Sequence, residues 1–213
     1  LTKAKFDTVP AATVLQAVAA ITTDSIRAKD ILKIRKDKFI ANWEPMVSSM
    51  FTAVDFIRTK LHVPVSQLLP YASLLVPFTY FFHKNGNKRP TETQAKLLKQ
   101  FFYWVGLNWR YSGATETKIA DDLKKMSLII KEKSPKYPAD ELSVSSEDIQ
   151  DTWFSAGNAN VKAILCLFAS QKPRNLDDDS DVILDNSNLK IASSRNYHHF
   201  FPKAYVNKHF KDW

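Results

Sequence analysis

The 213-residue chain carries 30 basic and 22 acidic residues, a net charge of +8, and 45% hydrophobic against 24% charged residues, the balance of an ordinary globular protein. Its 4 glycines stand far apart with no G-x-G, which argues against Rossmann and P-loop enzymes and against an all-β chain rich in tight turns. Cys166, the single cysteine, rules out an internal disulfide and a four-cysteine zinc site, and a reducing cytoplasm is the default expectation.

Thr8 to Ile21 places Val9, Val14, Leu15, Val18 and Ile21 at near-helical spacing, with Pro10 in the first turn. Asp30 to Leu61 then predicts one long helix, with Pro45 marking a kink or a boundary. Val63 to Pro70 is a connector. Ser73 to Phe82 is apolar on nearly all sides, the pattern of a helix buried at the centre. After the turn at Asn85 to Pro90, Thr91 with Gln94 predicts a capping box. The helix it opens carries Leu97, Leu98, Phe101, Phe102, Val105 and Trp109 on one face. Tyr111 to Ala114 breaks it, and Thr115 to Lys133 predicts another helix with Ile119, Leu123, Met126 and Ile130 inward. Ser145 to Thr152 and Asn158 to Ser170 predict two shorter helices.

After Gln171 the character changes. Asp177, Asp178, Asp179 and Asp181 form an acidic loop. Val182 to Leu184 and Leu189 to Ala192 predict short strands, and Arg195 to Pro202 an extended segment. The expected fold is therefore mainly α: a multi-helix domain over residues 1–170, then a short α+β segment over 171–213. The longest apolar run, Tyr71 to Phe82, is too short to span a bilayer and is broken by Pro77. The opening residues show no signal-peptide pattern. A start at Leu1 and a basic, aromatic end at Trp213 suggest a piece of a longer protein.

Charge is unevenly spread. Residues 61–138 hold 12 basic and 5 acidic residues, whereas 139–189 hold 3 and 10. A basic body suits a polyanion, because phosphates attract Lys and Arg at long range. Lys84, Lys88, Arg89, Lys96, Lys99, Arg110, Lys118, Lys124, Lys125, Lys131, Lys133 and Lys136 crowd that region. If they form one continuous face, duplex DNA is the expected partner. Phe101 to Trp104 keeps helical period on its flanks and reads as core rather than a base-stacking platform. Cys166 lies among Ile164, Leu165, Leu167 and Phe168, the setting of an inert core thiol.

The one dense cluster of chemistry-bearing residues is Arg195-Asn196-Tyr197-His198-His199-Phe200-Phe201-Pro202-Lys203. Adjacent histidines on a strand point to opposite faces. One can hold a metal while the other addresses substrate, and Arg195 and Lys203 add phosphate-compatible charge. A neutral imidazole can take a proton from an attacking water, and a divalent cation can stabilise charge on a phosphate. A pair of structural histidines on a half-buried strand has the same local pattern.

Tyr197 to Lys203 resembles the first strand of the His-Me finger (HNH) nuclease motif, in the form found in the GmrSD-type family of bacterial restriction and phage-defence proteins. Leu69-Pro70-Tyr71 leading into Leu75 to Phe82 is similar to that family's central helix. So are Phe101 to Trp104, Arg110 to Ala114 and Asp121-Asp122-Leu123, and the resemblance runs from about Phe39 onward. It implies a parent with a ParB/sulfiredoxin-like nucleotidase domain, a helical region and a C-terminal HNH domain. It also implies DNA cleavage dependent on Mg2+ or Mn2+, with His199 as general base and His198 as metal ligand. Asn207 and His209 follow His199 too closely to complete that motif at roughly 3.3 Å per strand residue, so the nuclease segment reads as cut short and inactive alone. Arg195, Lys203, Lys88, Arg89, Lys96, Lys99 and Arg110 are the expected nucleic-acid contacts. Self-association, or contact with the nucleotidase domain, is a further expectation, and no membrane partner is expected. A non-catalytic helical DNA-binding module and a helical protein-interaction domain are the competing readings.

Overall fold

The computed structural model describes residues 1, 4–138, 145, 147, 157–172, 174, 175, 177–181 and 208. Among them the chain forms seven α-helices: α1 (Ala11–Thr23), α2 (Ala28–Ile31), α3 (Lys36–Lys60), α4 (Leu75–Lys84), α5 (Glu92–Leu107), α6 (Thr115–Ile130) and α7 (Ala159–Ser170). The mainly helical expectation holds for these residues. The only β pairing among them is an isolated bridge between Arg174 and Asp181. The strands expected at 182–184 and 189–192, and most of the helix expected at 145–152, lie outside the described residues.

The centre is α4. Every residue from Leu75 to Phe82 is buried, and the helix packs against α1, α3 and α6. An all-round apolar sequence leaves no solvent face, so other helices must enclose it. Aromatic side chains lock that enclosure: Phe82 meets Phe56 of α3 at 5.6 Å between ring centroids, and Phe78 meets Phe101 of α5 at 6.1 Å. Phe101, Phe102 and Trp104 are core residues, as their helical period predicts.

The long helix expected over Asp30 to Leu61 is two helices. Arg35 takes an extended conformation (φ −67°, ψ 143°), and its guanidinium donates to both Asp37 carboxylate oxygens at 3.0 and 3.1 Å. Pro45 is no boundary, and α3 continues through it. Proline removes the hydrogen bond to the carbonyl four residues earlier. Here Ala41 and Pro45 are both exposed, so water can satisfy that carbonyl.

The Thr91–Gln94 capping box is formed. Gln94 N–H donates to Thr91 Oγ1 at 3.2 Å, and Thr91 N–H donates to Gln94 Oε1 at 3.0 Å. Gln94 Nε2 also donates to Ile130 O at 2.9 Å, which pins the start of α5 to the end of α6. Between those helices, Trp109 (φ 47°) and Ala114 (φ 51°) are left-handed at either end of the 3-10 turn Arg110–Ser112. This double reversal turns Arg110 and Tyr111 inward.

Helix α7 closes one side of α5 at Gly106. A Cβ built there meets Ala163 Cβ at 2.8 Å and Pro70 Cγ at 3.0 Å. Gly106→Ala gains about 1 kcal/mol of helix propensity, but overpacking a close contact costs about 1–3 kcal/mol. The expected result is a net loss of stability in thermal denaturation. A higher midpoint would show that α7 can shift without cost.

Candidate nucleic-acid interface

The expected cations fall into two groups. Lys88 and Arg89 occupy the turn between α4 and α5, and Lys96 and Lys99 lie three residues apart on α5; all four are exposed. None makes an ion pair among the described residues.

Arg110 is different and corrects the expectation that it contacts nucleic acid. It is 6% exposed, and its Nε donates to Asp122 Oδ2 at 2.9 Å. Its Nη2 lies 2.9 Å from Asp122 Oδ1 and 3.2 Å from Asp121 Oδ2, and its guanidinium sits 4.3 Å from the centre of the Trp104 ring. Lys125, also buried, completes the group against Asp121 and Asp122. Two cations face two carboxylates there, so the group is charge-balanced and belongs to the core. Lys84 is engaged as well, 3.1 Å from Asp24. The twelve cations of residues 84–136 therefore do not form one continuous face.

One of the exposed cations, Arg89, lines a groove of about 730 Å³ between α3 and the start of α5. Thr52, Asp55, Phe56, Thr59 and Lys60 line one wall at helical spacing, and Arg89, Glu92 and Ala95 line the other. Asp55, Glu92, Lys60 and Arg89 share this lining with no ion pair among them. The excess positive charge lies on Lys88 beside Arg89 and on Lys96 and Lys99, which extend the Glu92–Ala95 side of α5 by another turn.

Beyond this groove three elements deliver lysines to one histidine. His62, just past α3, titrates below its ordinary value because burial disfavours the imidazolium and because Lys172, Lys99 and Lys60 repel it. Sequence reasoning singled out Lys99 but neither Lys60, His62 nor Lys172. Lys60 and Lys172 are 112 positions apart in the chain, and no local pattern links them.

His198, His199, Arg195 and Lys203 lie outside the described residues. Among those described, no group of three or more His, Cys, Asp or Glu side chains is placed to hold a metal ion. No described helix is long and apolar enough to cross a membrane. Cys166 is buried, its thiol 3.4 Å from Leu68 O, and burial pushes its pKa up to about 12, which makes it the inert core thiol expected. No protein-family model, curated protein or solved structure matches the chain.

Proposed function

We propose that the helical region is a nucleic-acid-binding unit that holds duplex DNA for a metal-dependent endonuclease of the restriction or phage-defence type. The observation that carries the binding reading is the set of exposed cations at Lys88, Arg89, Lys96 and Lys99, which make no ion pair among the described residues and of which Arg89 lines the α3–α5 groove. Cations already neutralised by carboxylates contribute little to a polyanion, whereas free ones exchange condensed counterions for phosphate contacts. Such contacts position the protein on the duplex without reading sequence. The nuclease reading rests on the resemblance of Tyr197 to Lys203 and assigns His199 as base, His198 as metal ligand, and Mg2+ or Mn2+ as cofactor.

Fluorescence anisotropy with labelled duplex DNA tests the binding reading. Binding should weaken by orders of magnitude between about 50 and 200 mM salt and vary little with sequence. Replacing Lys96 and Lys99 by Ala should lower the slope of log affinity against log salt by about 1 per lysine. Absence of binding at micromolar protein in low salt would overturn it, as would a slope the double variant leaves unchanged.

A further inference from the structure

We propose that the cavity between the start of α7 and the connector leading to α4 binds a small monocarboxylate with an apolar body, its carboxylate held by Lys162. The proposal goes beyond the nucleic-acid-binding reading and does not depend on it. None of Lys88, Arg89, Lys96 and Lys99 lines this cavity.

The site stands on a cavity of about 420 Å³, within the usual size range of small-molecule sites. Leu68, Leu69 and Leu165 give it an apolar side. Thr8 and Ser66 give it a polar one, their hydroxyl oxygens 2.5 Å apart. Lys162 is the one charged side chain in the lining. A mostly apolar hollow with a few convergent polar groups is the common form of a ligand site.

The surrounding chain offers Lys162 no counter-charge. The residue is half-buried and makes no ion pair among the described residues. It belongs to the first turn of α7, where the positive end of the helix disfavours a cation, and that turn holds no acidic residue. The long stem of a lysine can carry its ammonium to open water, but here burial still lowers the pKa. The one group that acts in the other direction is Cys166. Its own pKa of about 12 keeps it a neutral thiol near pH 7, so it supplies no negative charge.

These features select the ligand. One cation matches one negative charge. A phosphate monoester or a diphosphate brings more, and no second cation lines the cavity. A neutral apolar ligand would displace water from the ammonium without replacing its hydrogen bonds, which is costly. A carboxylate accepts from the ammonium and from neighbouring hydroxyls, while an apolar body covers Leu68, Leu69 and Leu165.

The experiment pairs calorimetric titration of the whole chain with acetylation footprinting read by mass spectrometry. The probes are octanoate, octanol of the same length, and dibutyl phosphate as an apolar monoanion of another shape. Octanoate should bind at least about tenfold more tightly than octanol, the equivalent of a hydrogen bond to a charged group. It should also slow acetylation of Lys162 relative to the exposed Lys88 and Lys96, which octanol should not do. Lys162→Met keeps a similar stem without the charge. It should lower octanoate affinity to that of octanol, whereas Lys162→Arg should retain most of the preference. The footprint needs no variant, so it decides the matter even where Lys162→Met fails to fold. Equal affinity for octanoate and octanol would overturn the proposal, as would no octanoate binding at millimolar concentration or binding that leaves Lys162 unprotected. Dibutyl phosphate binding as tightly as octanoate would overturn the carboxylate assignment.

Discussion

Arg110→Ala and Asp122→Ala should each lower the unfolding free energy by about 3–5 kcal/mol, the cost of leaving one member of a buried ion pair without its partner. Asp122 has no solvent exposure and accepts from Arg110, from Lys125 and from the Tyr111 hydroxyl at 2.7 Å. Removing the carboxylate leaves a guanidinium that is itself 6% exposed with the half-exposed Asp121 at 3.2 Å as its charge partner. Tyr111→Phe removes one hydrogen bond to a charged group and should cost less, about 1.5–3 kcal/mol. The double variant Arg110→Ala/Asp122→Ala should be milder than the sum of the singles, because neither charge is then left unpaired. Urea unfolding of the four variants measures all of this. Additive losses would show that the two side chains act independently. The same series separates structure from binding: with Arg110 committed to Asp122, a folded Arg110 variant should bind DNA with the parent's salt dependence.

The fold was legible where local chemistry decides it. The apolar run over Ser73 to Phe82 could only be satisfied inside a bundle, and Thr91 with Gln94 announced a helix start that the structure forms. Arg110 was misread because burial of a cation depends on what the next helix offers. Asp121 and Asp122 were visible in the sequence, but the left-handed turn that folds Arg110 back onto them was not. Trp109 and Ala114 lack the glycine that normally advertises such a conformation. The boundary expected as one outcome at Pro45 did not form, since proline's cost in a helix depends on whether the freed carbonyl faces water. The lysines around His62 were illegible for a different reason. Lys60, Lys99 and Lys172 belong to three helices or their ends, and only packing brings them to one place. Each alone resembles a solvated surface charge.

His199→Ala in a parent protein that completes the HNH motif should slow plasmid cleavage by about 10²–10⁴-fold, the usual loss when a positioned base is removed. A neutral imidazole must face the attacking water and accept its proton as the oxygen approaches phosphorus. Histidine suits that role because its ordinary pKa leaves it largely unprotonated at neutral pH. In the extended segment that the sequence predicts, His198 points to the opposite face and is assigned to hold Mg2+ or Mn2+, which supplies charge stabilisation at the phosphate when bound. The two substitutions should therefore separate. His199→Ala should retain DNA and metal binding while losing turnover at every metal concentration. His198→Ala should lose metal affinity, by about 10–100-fold or more if losses from outer-shell partners are a guide, and recover part of its activity in excess metal. The helical face predicts an independent signature: Lys96→Ala/Lys99→Ala should weaken DNA binding, flatten its salt dependence and slow cleavage only through occupancy, leaving the rate at saturating DNA unchanged. Plasmid cleavage across metal and DNA titrations reads all three variants. Cleavage by His199→Ala at the parent's rate would make the double histidine structural and leave the helical region as a binding module alone.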